Sequence, residues 1–313
     1  MYFFWRWFLL AFLGWSSYVY ALQNTHIAIG QIVEHPALDM LRESLKEALA
    51  EKGYVEGKNL KWTYENAQGN STTAVQIGHK LTSLEPTVIV ALSTPMTQAI
   101  AGTTTTIPIV FGAVNDPVAA KLTGHKNVTG LTDFVSAKQQ IALVKEFIPN
   151  VKTLGIVYNS GEVNSQKQVQ EIKTAAEKEG VQIVEATVSK TSEVSSATKT
   201  LMGKVNAILL PTDNTVISAL ESIIKICILN KVPLFGSDVD IVRRGGVAAY
   251  GVDWRESGYV LAEIVQDIVE GLPVKNIPIQ NPQRLLFHIN LNAAQQMGIQ
   301  VPENLRKRAD MVL

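Results

Sequence analysis

HIAIGQIVEHPALDMLRESLKEALAEKG, residues 26–53, packs a strand, a polar turn and a helix into one run. The isoleucine-rich segment 26–32 predicts a buried strand. Val33-Glu34-His35-Pro36 breaks it. Leu38, Leu41, Leu45 and Leu49 then recur at three- and four-residue steps and line one helix face, while Arg42, Glu43, Lys46 and Glu47 cover the other. Gly53 closes the helix as a C-cap.

The same strand–turn–helix unit recurs along the chain. Strands are expected at 26–32, 60–65, 87–92, 107–111, 128–131, 153–158, 181–187, 207–210, 233–235 and 247–251. Helices are expected at 36–52, 72–83, 95–101, 137–147, 165–179, 192–202, 215–229 and 253–270. Runs such as Val88-Ile89-Val90 and Ile208-Leu209-Leu210 are apolar on both faces, as parallel strands covered by helices on both sides must be. The class is α/β, with two doubly wound parallel-sheet lobes joined by a hinge. A length of 313 residues fits two ordinary domains. The pattern restarts after Pro149-Asn150. The tail carries a long helix, prolines 273, 278 and 282, a short strand at 285–289 and a last helix. That order predicts a first lobe of 22–132 plus about 253–280, and a second of 133–252 plus about 281–313.

The N-terminus departs from this pattern. Ten of the 22 aromatic residues lie within positions 2–20, with Arg6 as the one charge. An apolar run follows at 7–15, and Val19-Tyr20-Ala21 places small residues at the minus-three and minus-one positions of a cut after Ala21. This is the pattern of a secretory signal peptide over 1–21. An uncleaved anchor is the alternative, although the apolar core is short for a span of about 20 residues. The expectation is an exported, periplasmic protein.

Composition excludes several classes. Lys plus Arg and Asp plus Glu balance at 28 each, which leaves no basic footprint for nucleic acid. Cys227 is the lone cysteine, so an intrachain disulfide, a zinc knuckle and a Cys-x-x-Cys pair are excluded. No nucleophile elbow, zinc helix, Walker loop or dinucleotide fingerprint occurs. No cofactor and no metal is expected. Of five histidines, only His35 sits in a candidate site loop.

The polar residues gather where a ligand site belongs. In open parallel sheets, ligands bind beyond the carboxyl ends of strands, beside helix N-termini that favour anions. Those loops read Gln31–His35, Ser93-Thr94, Asn115-Asp116, Thr132-Asp133, Asn159–Glu162 with Asn164-Ser165, Thr212–Thr215 and Ser237-Asp238. Any one of these residues could be no more than a helix cap. Pro36, Pro95 and Pro117 suit first helical positions, with His35, Thr94 and Asp116 as caps. As a set, on both lobes, they suit a small zwitterion. Ser93-Thr94 could hold a carboxylate, and Asp116, Asp213 or Asp238 an ammonium. Phe134, Tyr158, Tyr250 and Trp254 are candidates for an aromatic wall, with plain core packing as the alternative.

A family resemblance joins these pieces. Ile29-Gly30-Gln31-Ile32-Val33-Glu34-His35-Pro36-Ala37-Leu38-Asp39 resembles the opening of substrate-binding components of bacterial ABC transporters of the tryptophan/tyrosine type. The segments 53–59, 127–130, 158–165, 211–215 and 245–253 match in order. The resemblance implies a periplasmic-binding-protein fold of type I, without catalytic activity, that captures an aromatic amino acid and delivers it to an inner-membrane permease as a monomer. Carried over by matching position, the cleft uses Glu34, Ser93, Thr94, Asp116, Asp133, Asn159, Ser160, Asn164, Asp213, Asn214 and Asp238. A secreted enzyme with Glu34, His35 and Asp213 as acid–base groups, and a ligand-sensing partner of a receptor, are the alternatives.

Overall fold

Two hydrophobic cores, each built around its own sheet, organise residues 25–313, the part of the chain that the computed structural model describes. The expected leader, 1–21, lies outside the described residues. The first sheet contains β1 (Thr25–Gln31), β2 (Leu60–Asn66), β3 (Val88–Leu92), β4 (Ile109–Val114) and β5 (Val128–Thr132). They run parallel in the order β2-β1-β3-β4-β5. Every residue of β1, β3 and β5 is buried, as both-face coverage requires. Helices α1 (Pro36–Glu51), α2 (Ser71–Ser83) and α3 (Thr94–Ala101) connect the strands.

The second sheet repeats the plan. It holds β6 (Thr153–Asn159), β7 (Gln182–Val188), β8 (Ala207–Leu210), β9 (Leu234–Gly236), β10 (Ala248–Gly251), β11 (Leu286–Ile289) and β12 (Met311–Val312), in the order β12-β11-β10-β9-β8-β6-β7. Its helices begin with α4 (Ala137–Phe147), α5 (Val163–Lys178), α6 (Val194–Leu201), α7 (Asn214–Ile217), α8 (Leu220–Asn230) and α9 (Val239–Arg244). The sheets are mostly parallel, and β11 departs by pairing antiparallel with β10.

The chain passes between the cores three times. It leaves the first sheet after β5 and returns after β10 as α10 (Trp254–Val269), which packs along α1. Gly258 permits that contact, because a Cβ there would lie 2.5 Å from Ser44 Cβ and 2.7 Å from the Leu45 nitrogen. Gln280 then hydrogen-bonds the β5 backbone at Gly130 and Thr132 before the chain re-enters the second core at β11. Two short helices, α11 (Leu291–Gln296) and α12 (Glu303–Arg308), follow.

Four local expectations are corrected. The single helix at 215–229 is two, because Ala219 leaves helical geometry (φ −115°, ψ 20°) between α7 and α8. A helix unseen in the sequence, α9, is set by Asp238 capping Asp240 N–H and stopped by Gly245 at φ 124°. Pro117 opens a turn, not a helix. The expected last helix is α11 and α12, followed by β12.

Candidate functional site

The carboxyl ends of β1, β4 and β5 face those of β8 and β9 across a cleft. His35, Leu38, Ala113, Asn115 and Asp133 line it from the first lobe. Asn164, Thr212, Asp213, Asn214, Ile217 and Asp238 line it from the second, and Trp254 at the start of α10 completes it. The cavity itself is small, about 30 Å³; with the mouth and the gaps between atoms included, the empty space is about 410 Å³. Outside the cavity, α3 touches α5, and Lys167 Nζ lies 3.9 Å from Asp116 across the lobes.

The first-lobe rim is braced from behind by side chains. The Gln31 amide donates to the Val33 carbonyl and to Asp39, and Arg42 donates to the Gln31 oxygen, which fixes the turn leading to α1. Ser93 (φ 90°) and Ala113 (φ 57°) both occupy left-handed backbone space. Such strain costs about 1–3 kcal/mol per non-glycine residue and collects at functional sites. At Ala113 it accompanies a register shift between Phe111 and Val114. This rim leaves polar groups without partners. His35 Nδ1, Ser93 Oγ, Thr94 Oγ1, Asn115 Nδ2 and Asp133 Oδ1 are buried and make no hydrogen bond. Neither His35 nor Ser93 uses its side chain to cap the helix that follows. Burial, and then the nearby Arg244 charge, push the His35 pKa down to about 4, so the ring is neutral.

The second-lobe rim is knitted together. Asp213 Oδ2 accepts from Asn159 N–H (2.6 Å) and Ser165 Oγ (2.6 Å), and Oδ1 accepts from Val216 N–H (2.8 Å). Glu162, buried beside it, accepts from the Asn214 side chain at 2.6 Å and from Thr215 N–H and Oγ1 at 3.0 and 2.8 Å. Burial, and then the Glu162 charge, raise the Asp213 pKa. Asn164 donates to the Thr212 carbonyl (2.8 Å), and its own carbonyl oxygen is left unpartnered. Asp238 Oδ1 accepts from Asp240 N–H and from Trp254 Nε1, both at 2.9 Å. A Cβ at Gly251 would meet the Val239 nitrogen at 2.6 Å, so glycine lets β10 pass under this cap.

Two further carboxyls titrate abnormally. Burial, then the charge of Asp238, push Asp133 up to about 7, and burial, then Asp240, push Asp238 up to about 6. Among the described residues no group of three or more His, Cys, Asp or Glu is placed to hold a metal ion. No helix there is long and apolar enough to cross a membrane.

The structure therefore brings Asp133, Asn164, Asp213, Asn214, Asp238 and Trp254 to one cavity. Ser93 and Thr94 are buried at the carboxyl end of β3 and are not among the residues that line the cavity. The other candidates sit elsewhere. Glu34 is exposed and accepts from Tyr64 OH, so His35 takes the inward position. Asp116 lies outside the cavity lining, capping the Val118 and Ala119 N–H groups. Asn159 is behind the rim, donating to Thr215 Oγ1. Ser160 is exposed, and its carbonyl accepts from Gln166.

Of the four aromatic candidates, three are displaced. Phe134 is 42% exposed beside a surface groove between α4 and α5. Tyr158 donates to Glu185. Tyr250 stacks on Phe287 at 4.8 Å and accepts from Arg308. Sequence reasoning left His35, Leu38, Ala113, Asn115, Thr212 and Ile217 out of the expected ligand-binding residues. Asn115 and Thr212 stood in the right loops, each next to an aspartate, Asp116 or Asp213, that was expected to carry the role.

Comparison with known proteins places this geometry. Residues 26–313 match the family model described as ABC transporter substrate binding protein. A protein of Clostridioides difficile (strain R20291) named tyrosine-binding protein is 35% identical over 283 residues, covering 89% of this chain and 82% of that one. A solved structure of a Streptococcus pneumonia ABC domain in complex with L-Trp is 32% identical. It aligns with a TM-score of 0.89, over 93% of this chain and 100% of that one. A ligand-free, open substrate-binding protein from Clostridium difficile is 35% identical and aligns with a TM-score of 0.68, over 92% and 99%. The lobes have the periplasmic-binding-protein-like architecture. The chain belongs to the ABC transporter substrate-binding protein family, a family of solute-binding proteins and not of enzymes.

Proposed function

We propose that this ABC transporter substrate-binding protein closes its two lobes on an aromatic amino acid and presents it, unchanged, to the permease of an ABC importer. It acts as a periplasmic monomer after removal of residues 1–21. The observation that carries the reading is the set of buried, unpartnered polar atoms on His35, Ser93, Thr94, Asn115, Asp133 and Asn164. A buried polar group left unmade costs about 1–3 kcal/mol, so a cluster of them is the imprint of a polar guest.

The chemistry suits an amino acid. The start of α3, with the Ser93 and Thr94 hydroxyls, favours a carboxylate. Leu38, Ala113, Ile217 and Trp254 offer an apolar wall for a side chain. The cavity takes residues from both lobes, so a ligand makes its full set of contacts only when they close. Binding thereby shifts the hinge equilibrium toward the closed form. The likeness to known structures supports a closed arrangement. The TM-score is 0.89 to the L-Trp complex but 0.68 to the open relative, although identity to the open relative is the higher of the two. A closed surface assembled from both lobes distinguishes loaded from empty protein for a permease.

A thermal-shift panel of the twenty amino acids, sugars and nucleobases tests the reading. A ligand that binds only the native state raises the melting temperature by mass action. Tryptophan or tyrosine should give the largest rise. A rise with sugars or nucleobases alone would overturn it.

A further inference from the structure

We propose that Asp133 and Asp238 form an interlobe clasp for the ligand's cationic nitrogen, and that their mutual repulsion holds the empty cleft open. The inference deepens the reading above and rests on it.

The two acids come from opposite lobes. Asp133 follows β5 in the first, and Asp238 starts α9 in the second. They are 6% and 5% exposed and line the same cavity. Asp133 Oδ1 makes no hydrogen bond of good geometry, and neither do Asn115 Nδ2 on the same lobe, whose amide lies close enough to lower the Asp133 pKa, and Asn164 Oδ1 on the opposite lobe. Among the described residues, no lysine, arginine or histidine forms an ion pair with either carboxylate; the nearby Arg244 pairs with Asp240 and Glu221. Asp213, by contrast, has three donors of its own and is committed to its lobe.

Two buried like charges without a counter-ion repel strongly at low dielectric. In an open cleft, water screens them. In a closed empty cleft they must take up a proton or separate. An ammonium between them removes the repulsion and satisfies the open Asp133 oxygen with a charge-assisted hydrogen bond. The ligand's charge is thus what permits closure. Asp240 and Arg244 from α9, His35 from the β1–α1 turn, Trp254 from α10, and Asp213 with Glu162 behind it are the other titratable, charged or hydrogen-bonding groups facing the pair. Arg244 partly offsets Asp238, and His35 is neutral, so none supplies the missing cation.

The test uses the wild type, the single variants D133N and D238N, and the double variant D133N/D238N. Calorimetry measures L-Trp, L-Tyr and their deaminated acids, indole-3-propionate and 3-(4-hydroxyphenyl)propionate, and small-angle scattering follows the ligand-free proteins. Asparagine keeps the acceptor oxygen that Trp254 and Asp240 use, so both variants should melt natively. The wild type should prefer each amino acid to its deaminated acid by at least about 30-fold, as loss of a buried charge partner implies. Either substitution should erase most of that preference, and the ligand-free D133N/D238N protein should be more compact than wild type. Wild-type binding that both variants retain within about threefold would overturn the clasp and leave the proposed function standing. A wild type that binds no amino acid would overturn the proposed function. The scattering arm would then decide the repulsion alone, an equal radius of gyration ending it.

Discussion

On the second-lobe rim the Asp213 carboxylate takes three hydrogen bonds from its own chain, whereas on the first-lobe rim Ser93, Thr94, Asn115 and Asp133 each keep a buried atom without a partner. Both rims are built from the same kind of strand-end loop, and both look equally polar in sequence. They differ in what the polar groups serve. The second rim is a pre-organised wall, locked by Glu162 and Asp213 around the start of α7. The first holds strain at Ser93 and Ala113 and keeps its hydrogen-bonding capacity for a guest. A polar residue at a helix start is therefore evidence for a ligand only when the helix does not use it.

The contrast can be broken most forcefully at Asp213. Asp213→Ala strands three donors, and at about 1–3 kcal/mol each the ligand-free protein should lose about 3 kcal/mol or more in urea unfolding. Asp133→Asn should not lower ligand-free stability, and at neutral pH should raise it, because the acid it replaces has no hydrogen bond of good geometry to lose and is disfavoured in its charged form by burial and by Asp238. Equal costs for the two would erase the distinction between the rims.

Thr94→Val probes the first rim with a smaller effect. It removes a buried hydroxyl that makes no hydrogen bond, so ligand-free stability should hold or rise by about 1 kcal/mol. Affinity for the amino acid should fall about tenfold if that hydroxyl meets the carboxylate. A falling melting temperature with unchanged affinity would make Thr94 structural.

A pH dependence sharpens the second rim. The folded Asp213 pKa is raised from 3.8 by burial and Glu162. The native state then binds more protons than the unfolded chain above pH 4, and stability falls as pH rises toward the raised value. Glu162→Gln removes the charge that helps raise it. Thermal melts from pH 5 to 8 should show wild type losing ground to the variant as pH rises. A gap that does not change with pH would mean that the two acids are not electrostatically linked.

The smallest effect is expected at Asp116. It caps a turn and lies 3.9 Å from Lys167, a partly exposed pair on the rim. Asp116→Ala should cost about 1 kcal/mol or less and change affinity within about threefold. A larger loss of affinity with stability intact would move Asp116 into the binding site.

Much of this was legible from local pattern. The expected strand at 153–158 is Thr153–Asn159 and the expected helix at 137–147 is Ala137–Phe147, because apolar runs and helical spacing are properties of neighbours in the chain. The loops of the cleft were legible for the same reason. What was hidden depends on residues far apart. Ser165 reaches Asp213 across 48 positions, and this pairing turns an apparent ammonium acceptor into a structural post. Tyr250 could be seen near β10, but its stacking on Phe287 follows from the antiparallel return of β11, which no local signal announces. Glu34 and His35 are adjacent, and only the geometry of the turn into α1 shows which one points inward.

The most direct measurement is a crystal structure of the protein grown with L-Trp or L-Tyr. The ligand should lie in the interlobe cavity, with its carboxylate against Ser93 and Thr94. Its nitrogen should lie within hydrogen-bond distance of Asp133 Oδ1, so that the first-lobe atoms gain partners while the Asp213 network stays as it is. A ligand found outside the cavity, or inside it with those atoms still unpartnered, would contradict the account.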